Sequence, residues 1–138
     1  MATSILYKIN NFLYALGTKT HNLSSDSFKI ALTNTAHTAS WTKLSDLTEI
    51  SYTNCSSRAL TITSWSQTSG TAKLIFADIT LTASGGSVGP FRYVYIYNDT
   101  ATNKDLVCYY DYGSALTLGD SDTFPVDLDG TNGIFTNV

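Results

Sequence analysis

The chain has 138 residues, a net charge of -3 and a charged fraction of only 14%. Its length is that of one ordinary domain, residues 1–138, large enough to bury a core without a metal or disulfide staple. The acidic balance, with Arg58 and Arg92 the only arginines, argues against nucleic acid, whose phosphates need clustered Lys and Arg. There is no polybasic patch for a membrane surface, and no stretch approaches the roughly 20 apolar residues of a span.

Ser and Thr take the place of the missing charges, at about a quarter of all positions. Thr and the nine Tyr suit pleated, half-buried surfaces. A single Glu, Glu49, stands against ten Asp. Glu populates exposed helix faces and Asp populates turns, so strands and turns are expected with little helix. The segment from Met1 to Leu16 lacks a charged start, and Lys8, Asn10 and Asn11 interrupt it, so it does not read as a signal peptide. The expectation is a soluble product made in the cytoplasm, with Cys55 and Cys108 as free thiols rather than a pair.

In chain order, Ile5, Ile9, Phe12, Leu13 and Leu16 recur at the spacing of one helix face. Thr3 or Ser4 can cap that helix, and Gly17 can take the left-handed position after it. A helix this short needs a sheet to pack on. Phe28, Ile30 and Leu32 alternate as a half-buried strand. Residues 33–41 read as irregular, residues 43–50 as one helical turn with Leu44, Leu47 and Ile50 inward, and residues 51–57 as loop. Segments 58–66 and 71–82 alternate on either side of a turn at 67–70 and read as a hairpin. A Gly/Ser loop fills 83–89.

The run Tyr93-Val94-Tyr95-Ile96-Tyr97 is apolar on both faces and is expected as a central strand. A turn at 98–104 returns the chain into a strand at 106–112. Residues 113–122 read as another loop, followed by a strand marked by Thr123, Val126 and Leu128. A turn at 129–133 precedes a short last strand at 134–136. Short strands with Gly, Asn, Asp and Ser punctuation predict a mostly β domain, an antiparallel β-sandwich or barrel with one N-terminal α-helix packed on it.

The pieces Asp26-Ser27-Phe28-Lys29-Ile30-Ala31-Leu32, Trp41 to Ile50, Phe91 to Thr100, Leu106 to Gly113 and Asp129 to Phe135, following an N-terminal helix, occur in an order that resembles small virion structural proteins of tailed bacteriophages. The resemblance spans nearly the whole chain and departs from the usual form at Cys55–Arg58. It implies a capsid decoration, or cement, protein on the outside of the virion. Its partner would be the major capsid protein, and it would self-associate, typically as a trimer. A tail or head-fibre component is the nearest alternative. A carbohydrate-binding β-sandwich module, using Trp41, Trp65 or a Tyr as platform, is the alternative from another class. The family carries no catalytic residues to transfer.

No residue pattern argues for an enzyme. His21 and His37 lack Cys or carboxylates at metal spacing, and each reads as part of a polar surface loop. Asp127 to Gly133 has alternating oxygen donors like a calcium loop but no later bidentate Glu, and reads as a tight turn. Asp120, Asp122, Asp127 and Asp129 make the tail acidic without a companion His. The Gly-rich 83–89 loop has no following Lys-Ser/Thr and is not a phosphate loop. Cys55 has no basic neighbour but Arg58, and no Ser stands in a Gly-x-Ser-x-Gly elbow. The sequons at Asn54 and Asn98 are read as chance. No catalytic residue, cofactor or metal is expected. Six tyrosines, Tyr93, Tyr95, Tyr97, Tyr109, Tyr110 and Tyr112, are open to core packing, protein contact or ligand stacking. The expected contact surface comprises Trp41, His37 and Thr38 of the irregular stretch, together with Tyr95, Tyr97, Tyr110 and Tyr112. Trp41 buried in the core is the competing reading.

Overall fold

The computed structural model describes residues 5–128 and 135–137, and within them the chain is mostly β, with antiparallel sheets and one short helix. Strand β1 (Ile5–Lys8) leads into helix α1 (Phe12–Gly17), followed by β2 (Phe28–Thr33), β3 (Ile62–Thr68) and β4 (Thr71–Phe76). Then come β5 (Ile79–Thr82), β6 (Val88–Asn98), β7 (Leu106–Leu118), β8 (Thr123–Val126) and β9 (Phe135–Asn137). Among the described residues three sheets form, in the orders β1-β7-β6-β2, β3-β4-β9 and β5-β8.

Strand β6 is the central strand expected from the doubly apolar run. It pairs with β7 on one side and β2 on the other, and every residue from Tyr93 to Asn98 is buried. Both faces are covered, so its side chains need not alternate between apolar and polar. The outer edge of β2 is closed by loop backbone: Ile30 N–H donates to Arg58 O, Leu60 N–H to Phe28 O and Ile50 N–H to Leu32 O. The sheets are joined by aromatic rings, Phe28 against Phe76 at 5.5 Å and Phe91 against Phe124 at 5.2 Å, both edge to face. Buried Ile30, Leu32, Leu74, Leu81, Val94 and Ile96 belong to the same core.

The structure corrects several expectations. The first half of the expected helix is strand β1, paired with β7 from Ile5↔Asp111 to Lys8↔Cys108. Ile5, Tyr7 and Ile9 also alternate, and the open edge of β7 gives their backbone partners that an isolated helical turn lacks. Helix α1 therefore begins only at Phe12. It buries Phe12 and Ala15 and leaves Leu13 exposed. Gly17 is its last residue rather than the position after it, and Lys19 takes the left-handed conformation at φ 67°. The proposed caps Thr3 and Ser4 lie outside the described residues.

The hairpin of β3 and β4 forms around Ser69 and Gly70, both at positive φ, as two-residue hairpin turns require. Its second arm ends at Phe76; Ile79–Thr82 belongs to a different sheet, paired with β8. The expected 113–122 loop is strand as far as Leu118, because β7 passes through Gly113 at φ 96° and continues opposite Phe91 and Val88. The helical turn at 43–50 is a 3-10 turn at Leu44–Asp46, with Leu47 buried. The turn at 129–133 lies outside the described residues; the last strand pairs with β4 from Phe135 onward.

Candidate functional site

Backbone register sets a row of aromatic rings across the four-stranded sheet. Tyr7 of β1 stands opposite Tyr109 of β7, and Tyr109 opposite Tyr95 of β6. Directly opposed residues share a face of the sheet, so the rings stack: Tyr7 on Tyr109 at 5.0 Å and Tyr109 on Tyr95 at 5.0 Å. The 34–43 loop lies over this row. It lays His37 on Tyr109 at 4.3 Å, with the Trp41 ring edge-on to His37 at 5.6 Å. His37 Nδ1 also meets the Tyr95 hydroxyl at 2.7 Å, and Asn10 Nδ2 donates to Ala39 O at 3.4 Å. Burial pushes the His37 imidazole below its ordinary pKa and the Tyr95 and Tyr109 hydroxyls above theirs.

Of the expected contact residues, Trp41 and His37 are half-buried and Thr38 is exposed. Tyr95 and Tyr97 lie in the core, at 0% and 4% exposure. Tyr110 packs partly buried against the core, and Tyr112 sets its ring edge against Phe124 at 5.6 Å. These two are not brought together with His37 and Trp41.

Sequence reasoning missed Tyr7, Leu13 and Tyr14. They are the large hydrophobic side chains left most exposed among the described residues, at 41%, 51% and 71%. All three fall between residues 7 and 14, where the expected helix would have turned Leu13 inward. Tyr7 touches the aromatic row directly, and Asn10 reaches Ala39, so residues 7–10 adjoin the 37–41 segment.

A second feature is a polar cleft of about 490 Å³. Lys19, Thr20, Asn22 and Asp26 line one wall; Thr100 to Asn103 and Asp105 line the other. Beside it His21, expected in a surface loop, is buried at 4% exposure with its ring 5.3 Å from Phe12. Asn98, also buried, places its Nδ2 3.0 Å from His21 Nδ1 and 2.7 Å from Asp26 Oδ2. Polar sequence around His21 suggested exposure, yet the segment is held down because Leu23 and Phe12 on either side are core residues. Cys55 is half-buried and Cys108 buried, both as free thiols. Among the described residues no set of His, Cys, Asp or Glu is arranged to hold a metal, and no helix is long and apolar enough to cross a membrane.

No family model, curated protein or solved structure matches this chain.

Proposed function

We propose that the chain is a non-enzymatic structural protein of a tailed-phage particle, a capsid decoration protein that docks on the major capsid lattice and stabilises it. The observation that carries the docking surface is the aromatic row that joins exposed Tyr7, through Tyr109, to half-buried His37 and Trp41. Tyr and Trp supply large contact area at low entropic cost and are enriched at protein interfaces. The virion context comes from the resemblance in the strand and turn motifs. A lattice-bound protein needs no deep pocket: a moderate surface repeated by symmetry binds through many weak contacts. A trimer at threefold positions fits this reading.

The deciding experiment is co-sedimentation of the purified protein with phage capsid shells, alongside its mass by analytical ultracentrifugation. Saturable binding at a threefold or sixfold ratio to capsid subunits, weakened by Tyr7→Ser and Trp41→Ala, is expected. Binding to tail tubes instead of shells would move the protein to the tail. Binding to neither, with retention of a glycan on an array, would replace this reading with a carbohydrate module stacking sugar on Tyr7 or Trp41.

A further inference from the structure

We propose that His21 is a proton-operated latch between the two walls of the polar cleft, closed while its imidazole is neutral and released when it takes up a proton. Asn98 sets the tautomer of His21. Its Oδ1 accepts the backbone N–H of Thr100 at 2.9 Å and of Ala101 at 3.1 Å, which fixes which way the amide faces. Nδ2 then has two hydrogens to give. One goes to Asp26 Oδ2, and the other points at His21 Nδ1. A ring nitrogen that accepts a hydrogen bond carries no proton, so His21 is neutral with its hydrogen on Nε2.

Protonation would set the new N–H of Nδ1 against the N–H of Asn98, donor to donor. It would also bury a charge, because Nε2 is inaccessible and has no hydrogen-bond partner among the described residues. The charged groups acting on His21 are Asp26 on its own segment and Asp105 at the head of β7. Both carboxylates favour the charged ring. Helix α1 presents the Phe12 ring, and Lys29 and Lys104 are engaged with Asp99. Burial outweighs the two carboxylates and holds the imidazole below its ordinary value of 6.5.

The unfolded or opened segment therefore takes up the proton first. The latch contributes fully above about pH 6.5 and loses strength as pH falls from there toward the lowered folded value. Ser27 N–H on Thr100 Oγ1 and Asp99 N–H on Ser27 O, both at 2.8 Å, still pin the base of the cleft. Opening is thus confined to the Lys19–Asn22 wall. The latch works independently of whatever the aromatic face binds.

The test is NMR on the full ¹⁵N-labelled chain, reading the His21 tautomer, its titration and amide protection from about pH 7.5 to 5.5. The expected result is an Nε2–H tautomer, a midpoint below 6.5, and selective loss of protection at residues 19–22. That loss should approach roughly tenfold per pH unit between the unfolded and folded midpoints, while β2 and β6 keep theirs. In His21→Gln, whose side-chain oxygen accepts without titrating, protection in this segment should not change with pH. If the variant does not fold, the wild-type tautomer and titration decide alone. An Nδ1–H tautomer, a midpoint at or above 6.5, or unchanged protection on acidification would overturn the latch.

Discussion

His37 lies nearly flat on the ring of Tyr109, centroids 4.3 Å apart, while its Nδ1 meets the hydroxyl of Tyr95 at 2.7 Å. One loop residue thus ties an otherwise irregular segment to the two longest strands and gives the buried Tyr95 hydroxyl a partner. His37→Ala should remove that partner and lower stability by about 1–3 kcal/mol, the penalty for a buried polar group left unpaired. Urea unfolding of the variant and the wild type checks this, and loss of protection in the 34–43 loop should accompany it.

Ile96 sits at 0% exposure in the middle of the central strand. Ile96→Ala should cost about 2–5 kcal/mol through lost burial and the cavity left behind. An equivalent truncation at exposed Leu13 should change folding stability by less than about 0.5 kcal/mol. The contrast between the two melting temperatures separates core from surface in the hydrophobic pattern.

Gly89 lies at φ 124°, and a Cβ there would come 2.8 Å from the carbonyl oxygen of Leu116. Backbone, not a flexible side chain, is the obstacle. Gly89→Ala should therefore destabilise by about 1–3 kcal/mol from conformational strain alone. Gly17 ends α1 with nothing within 4 Å of where a methyl would stand, so Gly17→Ala should stabilise by roughly 0.5–1 kcal/mol. Calorimetry on both variants reads the opposite signs.

The Arg92 guanidinium meets both oxygens of Asp111 at 2.8 and 3.0 Å, and Asp99 takes Lys104 at 2.8 Å and Lys29 at 3.3 Å. The hydrogen bond from Arg92 holds the Asp111 carboxyl below its ordinary value, and the one from Lys104, then Lys29, does so for Asp99. With folded values depressed, the unfolded chain binds protons first as pH falls. Both carboxylates therefore stabilise fully above about pH 4 and lose that contribution below it. These are surface pairs, screened by solvent, so the effect is small. Asp111→Asn and Asp99→Asn should shallow the drop in melting temperature between about pH 4 and pH 2.

Burial pushes the Cys108 thiol far up and the Cys55 thiol up by less, despite Arg58 nearby. Thiolate is the reactive form. Cys108 should resist a thiol reagent until the protein unfolds, and Cys55 should react more slowly than a free thiol. Labelling followed by mass spectrometry, with and without denaturant, checks the order.

The mostly β class, the central strand at residues 91–97, the β3–β4 hairpin turn and the buried face of Phe28, Ile30 and Leu32 were all legible in the sequence. Each rests on local physics: a two-residue alternation, a run covered on both faces, or a turn that accepts positive φ. What tertiary structure alone decided lies where one pattern served two outcomes. Ile5 and Ile9 satisfy a helical and a strand period alike, and only the open edge of β7 selected the strand. That choice moved Tyr7 onto the aromatic row and left Leu13 and Tyr14 in solvent. Tyr95 and Tyr109 look alike in sequence, yet the 34–43 loop buried the first wholly and the second in part. His21 stands in polar sequence, but the Phe12 ring packs on it and Asn98 reaches it from a strand 77 residues further along the chain. Burial is a property of which elements meet, and no local pattern records that.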